Sequence, residues 1–413
     1  MKDLDYKRYL LIFLFYMMLF QDALESKIAF LTFLDEVISS VVFGFAVIKI
    51  ISSRNKYKLK DYNKKIFIGL MLLVAIGLTS NLTYRYFMYQ KTGSAIVILL
   101  KDMLLVSKGW LTYIFIPTAL SDVNVDEYLN ILSNHFKKIA VLSLLLIIAD
   151  YIFKIFPTYE IRFGIRSEQL MFTHPTYLAS FAVLVIIVLS ITIKNFKDDW
   201  KYIMMMLLVL ASTLRFKAIA FIPVYLYVIF IVYKKQRKLQ LKDIILLGLL
   251  GLVFAISQVW EYANNPEWAR SALSMKSLLI ARDHFPLGSG FGSFASWTSG
   301  QYYSPIYYNY GLSWVWGLSP DFYGFVADTF WPMVIGQFGY IGFIIYCIIL
   351  FMVYKNINET QNLNLYLGQI LLLLHLLILS TAEASFSGPI SVVFLGLISI
   401  LRKDENKKQY CYN

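Results

Sequence analysis

Apolar residues run along this chain in long blocks separated by short polar or turn-rich stretches. The blocks fall at 9–20, 28–51, 66–80, 95–118, 139–156, 174–193, 202–214, 216–233, 243–258, 331–353, 365–381 and 389–401. Blocks of this length and continuity predict membrane-spanning helices, since a helix rises 1.5 Å per residue and a bilayer core is about 30 Å thick. The expected fold is therefore an all-α integral membrane protein with about 12 transmembrane helices, forming one polytopic domain over residues 1–413. The cut between the seventh and eighth blocks rests on the polar break Ser212, Thr213, Arg215. The stretch 259–330, between the ninth and tenth spans, is by far the longest loop. Within it, Asn264, Asn265, Pro266 and Glu267 look like a helix start. Trp268, Ala269, Ala272, Leu273, Lys276, Leu279 and Ile280 then recur at helical spacing, which predicts an amphipathic surface helix near 266–282. The remainder, 302–331, is dense in Tyr, Trp, Gly and Pro, residues that stack on sugar rings or anchor at membrane interfaces.

Composition supports this pattern. Of 413 residues, 58% are hydrophobic and only 15% charged, which excludes a soluble enzyme, a disordered regulator or a disulfide-built secreted domain. The first apolar run follows a charged start, but no small-residue cleavage site follows it, so it is expected to remain as an uncleaved span. Cys347 and Cys411 are expected to have no disulfide or metal role.

Charge sets the topology. Loops on the side of the termini carry 24 Lys and Arg, among them Arg54, Lys56, Lys194, Lys403, Lys407 and Lys408; loops on the other side carry 9, including Lys91. Both termini are thus expected in the cytoplasm, and the 259–330 loop outside it. The net charge of +12 is spent on these topology blocks, and no nucleic-acid partner is expected. The residue types also differ between the sides. The inner side holds 20 Lys to 4 Arg, the outer side 3 Lys to 6 Arg. Topology needs only positive charge, whereas the planar guanidinium fork suits phosphate and carboxylate.

Four constellations could carry chemistry. Arg162, Arg166 and His174 lie in or just after the loop before the sixth span, with Pro175 placing His174 at a helix N-terminus, where an anion can be held. Arg215 lies between two apolar runs, where a charge is costly and usually faces a polar cavity, and Lys217 is a second cation nearby. Arg282, Asp283 and His284 precede Pro286 to Phe294, whose Gly288, Gly290 and Gly292 could admit an anion to backbone amides or pack the loop on the bundle. No strand precedes these glycines and no Lys-Ser/Thr helix follows, so a nucleotide loop is not supported. Asp328 sits at the mouth of the tenth span, followed by Gly339 and Gly342. The histidines at 135, 174, 284 and 375 show no metal-ligand spacing.

In this order these pieces resemble the O-antigen ligase and polymerase family. His174-Pro175-Thr176-Tyr177-Leu178-Ala179-Ser180 is similar to its HPNxxG-like segment, with Tyr177 and Ser180 in place of Asn and Gly. Thr213-Leu214-Arg215-Phe216-Lys217-Ala218 is similar to its TxSRxA segment. Arg282 with Pro286-Leu287-Gly288-Ser289-Gly290-Phe291-Gly292-Ser293-Phe294 is similar to its PLxGxGxGxF segment. The resemblance covers about residues 150–345. Asp328 stands where the ligase members carry His, which favours a Wzy-type polymerase over a ligase.

The resemblance implies a GT-C-like, metal-independent, inverting glycosyltransferase without cofactors, in the cytoplasmic membrane of a bacterium. It would join undecaprenyl-diphosphate-linked repeat units into O-antigen, capsule or exopolysaccharide, amid membrane lipid and beside a flippase and a chain-length regulator. Arg215 and Arg282, assisted by Arg162 or Arg166 and by His174, are the expected diphosphate ligands. Asp328 is the expected base, with His284 as its alternative. The competing functions are a ligase, a lipid-linked oligosaccharide flippase, and a metal-dependent enzyme using Asp22 or Glu25 in the first outer loop.

Overall fold

The computed structural model describes residues 2–52, 58–86, 94–193, 196–265 and 267–402. Arg54, Lys56, Lys91, Lys194, Pro266, Lys403, Lys407, Lys408 and Cys411 lie outside the described residues. The described chain is mostly helical. Its elements are α1 (Lys2–Leu19), α2 (Gln21–Glu25), α3 (Leu34–Ser52), α4 (Asp61–Tyr84), α5 (Ala95–Ala119), α6 (Val125–Phe153), α7 (Pro175–Thr192), α8 (Phe196–Ser212), α9 (Phe216–Ile229), α10 (Leu241–Asn264), α11 (Ala269–Asp283), α12 (Trp297–Gln301), α13 (Ile306–Asn309), α14 (Trp331–Asn358), α15 (Leu363–Ser380) and α16 (Pro389–Ile400). A two-residue hairpin, β1 (Ile161–Arg162) and β2 (Ile165–Arg166), pairs antiparallel between α6 and α7.

Each of the twelve apolar blocks lies on a helix. Among the described residues, six segments are long and apolar enough to cross a membrane: Ala29–Ser52, Asp61–Tyr84, Pro175–Thr192, Phe216–Lys234, Trp331–Asn358 and Leu363–Ser380. Large apolar side chains such as Val41, Ile48, Ile68, Leu145, Ile344 and Phe351 are exposed on the outer faces of these and neighbouring helices. A water-soluble protein does not present such continuous apolar cover, and hydrocarbon is the solvent that suits it. The chain is thus an all-α, multi-pass membrane protein.

The centre of the bundle is α7. It is apolar on every side, and nearly all its residues are buried against α6, α8 and α15. A helix without a polar face has no other stable place. Around it, α3 packs on α5, α5 on α16, and α4 on α14.

Two boundaries differ from the sequence expectation. The long connection starts at 265, because α10 continues through Asn264; the two asparagines end that helix instead of capping the next one. The surface helix is α11, which begins at Ala269 after Trp268 with no side-chain cap. Its buried face, Ala269, Ala272, Leu273 and Ile280, docks on α14, and Tyr340 donates a hydrogen bond to the Leu278 carbonyl at 3.1 Å.

Candidate functional site

The site begins where α8 stops. Ser212 closes α8, Leu214 takes a positive φ of 49°, and Arg215 is the N-cap of α9. Two side contacts hold this break. Ser167 donates to the Thr213 carbonyl at 2.6 Å, and the Glu168 amide to the Ser212 carbonyl at 3.0 Å. The broken helix presents Arg215 at one end of the bundle, where α7 also begins. Pro175 is the first residue of α7 and His174 its N-cap, so the Arg215 guanidinium meets the His174 ring, Nη2 to Nε2, at 2.7 Å.

Around this pair the structure gathers residues that are far apart in sequence. The hairpin turns at Phe163 and Gly164, both at positive φ, as a tight two-residue loop requires. It carries Arg162 to Glu160, whose Oε1 is met by Arg162 Nε at 2.6 Å and by Arg215 Nη1 at 3.1 Å. Two guanidinium groups thus converge on one carboxylate oxygen. Tyr159 lies edge-on to the His174 ring and beneath the Arg215 guanidinium, 5.5 Å from its centroid. Lys217 pairs with Glu383 at 2.7 Å, and Arg270 of α11 with Asp328 at 3.0 Å. These pairs share one field: His174 feels Arg215, Lys217, Arg162 and Arg270, and Asp328 feels Arg270, Glu383 and Lys217. The cluster has four cations to three carboxylates.

Electrostatics follow from this crowding. Burial, and then the surrounding positive charges, pull the His174 imidazole down to about 3. The ring is neutral at physiological pH and carries one proton. As the N-cap of α7, its Nδ1 accepts from the Thr176 amide at 3.2 Å, and its Nε2 faces the Arg215 guanidinium. Burial pushes the Asp328 carboxyl above its ordinary range, against the pull of Arg270. Arg215 Nε is buried without a hydrogen-bond partner among the described residues.

The expected site residues separate. Arg215, Arg162, His174 and Asp328 come together. Arg166 turns away, to Asp150 at 3.3 Å and the Phe156 carbonyl at 2.8 Å. Arg282 is exposed and pairs with its neighbour Asp283 at 2.9 Å. His284 is buried; its Nδ1 donates to the Ile280 carbonyl at 2.8 Å and its Nε2 accepts from the Tyr86 hydroxyl at 2.7 Å. Both nitrogens are engaged away from Asp328.

The glycine loop is a packing element. Gly339 breaks α14 with φ 65°, which turns the Gly336 and Gln337 carbonyls toward the loop. They accept from the amides of Ser289 and Gly290, each at 2.9 Å. The Phe291 amide donates to Asn81 at 2.8 Å and that of Gly292 to Asp102 at 2.6 Å. A Cβ on Gly288 would stand 2.4 Å from the Gly339 nitrogen, so only glycine fits at this approach. With four successive amides bonded to protein, this loop does not offer an anion cradle.

Sequence reasoning singled out Arg215 from the cost of a charge between apolar runs. It missed Glu160, Arg270 and Glu383 as members of the site. Glu383 carried the same signal, an acid between the last two apolar runs. Among the described residues no group of three or more His, Cys, Asp or Glu is placed to hold a metal ion. A scan against protein-family models gives no match, and a search of curated proteins gives none either.

Proposed function

We propose that this protein is a membrane polysaccharide polymerase, which joins lipid-diphosphate-linked oligosaccharide repeat units outside the cytoplasmic membrane. The observation that carries this is the convergence of Arg162 and Arg215 on one oxyanion, the Glu160 carboxylate, beside the neutral His174 at the start of α7. Guanidinium forks held this way match the oxygens of a diphosphate leaving group, and they act most strongly in a site shielded from water. The lipid-linked substrate would displace Glu160 from the two arginines, with Lys217 and Arg270 completing the positive wall. Exposed Ile161, Phe163, Ile165 and Phe216 beside these arginines give an isoprenoid chain apolar cover.

The transfer is inverting. The acceptor hydroxyl attacks the anomeric carbon, its proton passes to a base, and the diphosphate leaves with the bonding electron pair. Asp328 is the base in this reading, since burial raises its carboxyl above the ordinary range and it lies in the same charge cluster. Its ion pair with Arg270 opens as the diphosphate engages that arginine. The twelve helices span the membrane with both termini inside, and the 265–330 connection lies outside over the bundle.

The deciding experiment is gel analysis of lipid-linked glycans in a strain lacking this protein. Product arrested at one repeat unit on its lipid carrier supports polymerisation. Full-length polymer stranded on lipid would make the protein a ligase, and loss of outward-facing repeat units would make it a flippase. A cysteine at exposed Ser274 should react with a membrane-impermeant reagent in intact cells. Labelling only after the membrane is opened would reverse the orientation.

A further inference from the structure

Beside the N-terminal turn of α7 lies an open cleft of about 500 Å3, counting the open solvent at its mouth. Gln21, Asp22 and Glu25 of α2 line it opposite Tyr177 and Ser180 of α7, and its remaining walls are apolar, from the end of α1, from α7 and from α16. Asp22 joins this cleft to the cation cluster. Its carboxylate accepts from the Thr173 amide at 2.7 Å and the Thr173 hydroxyl at 2.5 Å, and the next residue, His174, faces Arg215. Tyr177 lines the cleft and is within electrostatic reach of Asp22, Glu25 and also Glu383 of the cation cluster.

The cleft is rich in acceptors. Gln21 donates from Nε2 to the Thr32 carbonyl at 3.3 Å and to Asp35 at 3.0 Å, which fixes its amide and leaves Oε1 as the free end. That oxygen is buried without a hydrogen-bond partner among the described residues, and the side chain is only 1% exposed. A buried acceptor of this kind is costly unless something donates to it. Asp22 and Glu25 add carboxylate oxygens. Asp35 and Glu36 stand behind them, and Lys108 pairs with both. This surplus of carboxylates repels a diphosphate or an acidic group. The Glu25 carboxyl is raised to about 7, by burial first and then by Asp22, Asp35 and Glu36, against Lys108, so full negative charge does not accumulate at neutral pH. A ligand suited to these walls presents several hydroxyl donors on a body with apolar faces, which describes a neutral sugar ring.

We propose that this cleft is the subsite for a neutral sugar of the acceptor glycan, held through its hydroxyl groups by Gln21, Asp22 and Glu25. The proposal rests on the reading of the chain as a glycan polymerase. It divides the work between two sites joined through Asp22, Thr173 and His174: the diphosphate of one substrate at Arg215, the sugar of the other at Glu25.

The test uses the purified full chain in lipid nanodiscs and two probes. One is the repeat-unit oligosaccharide freed from its lipid by mild acid, and the other is farnesyl diphosphate. Glu25→Ala should weaken oligosaccharide binding roughly tenfold, a loss between those expected for hydrogen bonds to neutral and to charged groups, and leave farnesyl diphosphate binding unchanged. Ile390→Trp, which adds bulk to the apolar wall without touching the polar network, should weaken oligosaccharide binding likewise. Arg215→Lys should do the reverse. Oligosaccharide binding that is undisturbed in both folded cleft variants overturns the proposal, and so does its displacement by ethanolamine, which would make the cleft a cation site. Oligosaccharide binding that follows Glu25, with farnesyl diphosphate binding indifferent to Arg215, would sink the diphosphate reading and leave the cleft standing.

Discussion

Two segments rich in chemistry-bearing residues, 212–218 and 286–294, meet opposite fates in the fold. In the first, the chain breaks a helix and leaves Arg215 at the bundle end, shared between Glu160 and His174 and with Nε lacking a hydrogen-bond partner among the described residues. In the second, the glycines let the backbone press against α4, α5 and the kinked α14, and the amides of Ser289 to Gly292 are all bonded to protein. A glycine-rich loop and a lone arginine both suggest anion binding from sequence. What separates them is whether their hydrogen-bonding groups are already satisfied. The loop builds the scaffold, and the arginine keeps capacity for a ligand.

This contrast can be broken in several ways. The largest effect is expected at Asp328, which belongs to the charged side. Asp328→Asn keeps the shape but cannot accept a proton, so turnover by purified protein on lipid-linked repeat units should fall roughly 10²–10⁴-fold. Thermal stability should change little. A destabilised Asn variant with normal turnover per folded molecule would make Asp328 a salt-bridge partner of Arg270 and nothing more.

Gly290→Ala probes the scaffold side. At φ 89°, its added Cβ would stand 2.8 Å from the Asn81 side chain. Thermal or denaturant unfolding should show a loss of roughly 1–3 kcal/mol from strain and overpacking. Turnover per folded molecule should be retained. If activity vanished while stability held, the loop would have a direct role in the chemistry.

The smallest effect concerns the strap beneath Arg215. Glu168 is buried beside Asp150, and its carboxyl is raised to about 7, by burial first and then by the Asp150 charge. A carboxyl raised in the folded state binds its proton more tightly there than in the unfolded chain. Its contribution to stability is therefore complete below the unfolded value of 4.5 and falls as pH rises through 7. Glu168→Gln, which mimics the protonated form, should melt higher than the parent at pH 8.5 and match it near pH 5. Identical melting at both pH values would show that the Glu168 carboxyl is not raised.

The helices were legible because hydrocarbon imposes long apolar runs, and each run found its helix. The break at 213–215 was legible because a charge cannot continue an apolar face at no cost. Cluster membership was not. Glu160, Arg270 and Glu383 are ordinary loop or helix-end charges until α6, α11 and α15 deliver them to the start of α7. The glycine spacing was visible, but its meaning depended on the kink at Gly339, fifty residues away along the chain. The same holds for Arg282 and Arg215: equal as letters, they differ in that one is exposed beside Asp283 and the other is enclosed by opposing charges.

That difference gives the most direct test. Arg215→Lys and Arg282→Lys each keep the charge and lose the bidentate fork. Both would be assayed for polymer formation with purified protein and lipid-linked repeat units, at matched folded protein. The Arg215 variant should lose roughly 10²–10³-fold in rate, the range for removing a donor that stabilises developing charge. The Arg282 variant should stay within about twofold, as exposed ion pairs contribute little. Equal losses in the two variants, or normal polymer with Arg215→Lys, would contradict the assignment of the diphosphate to the cluster at the start of α7.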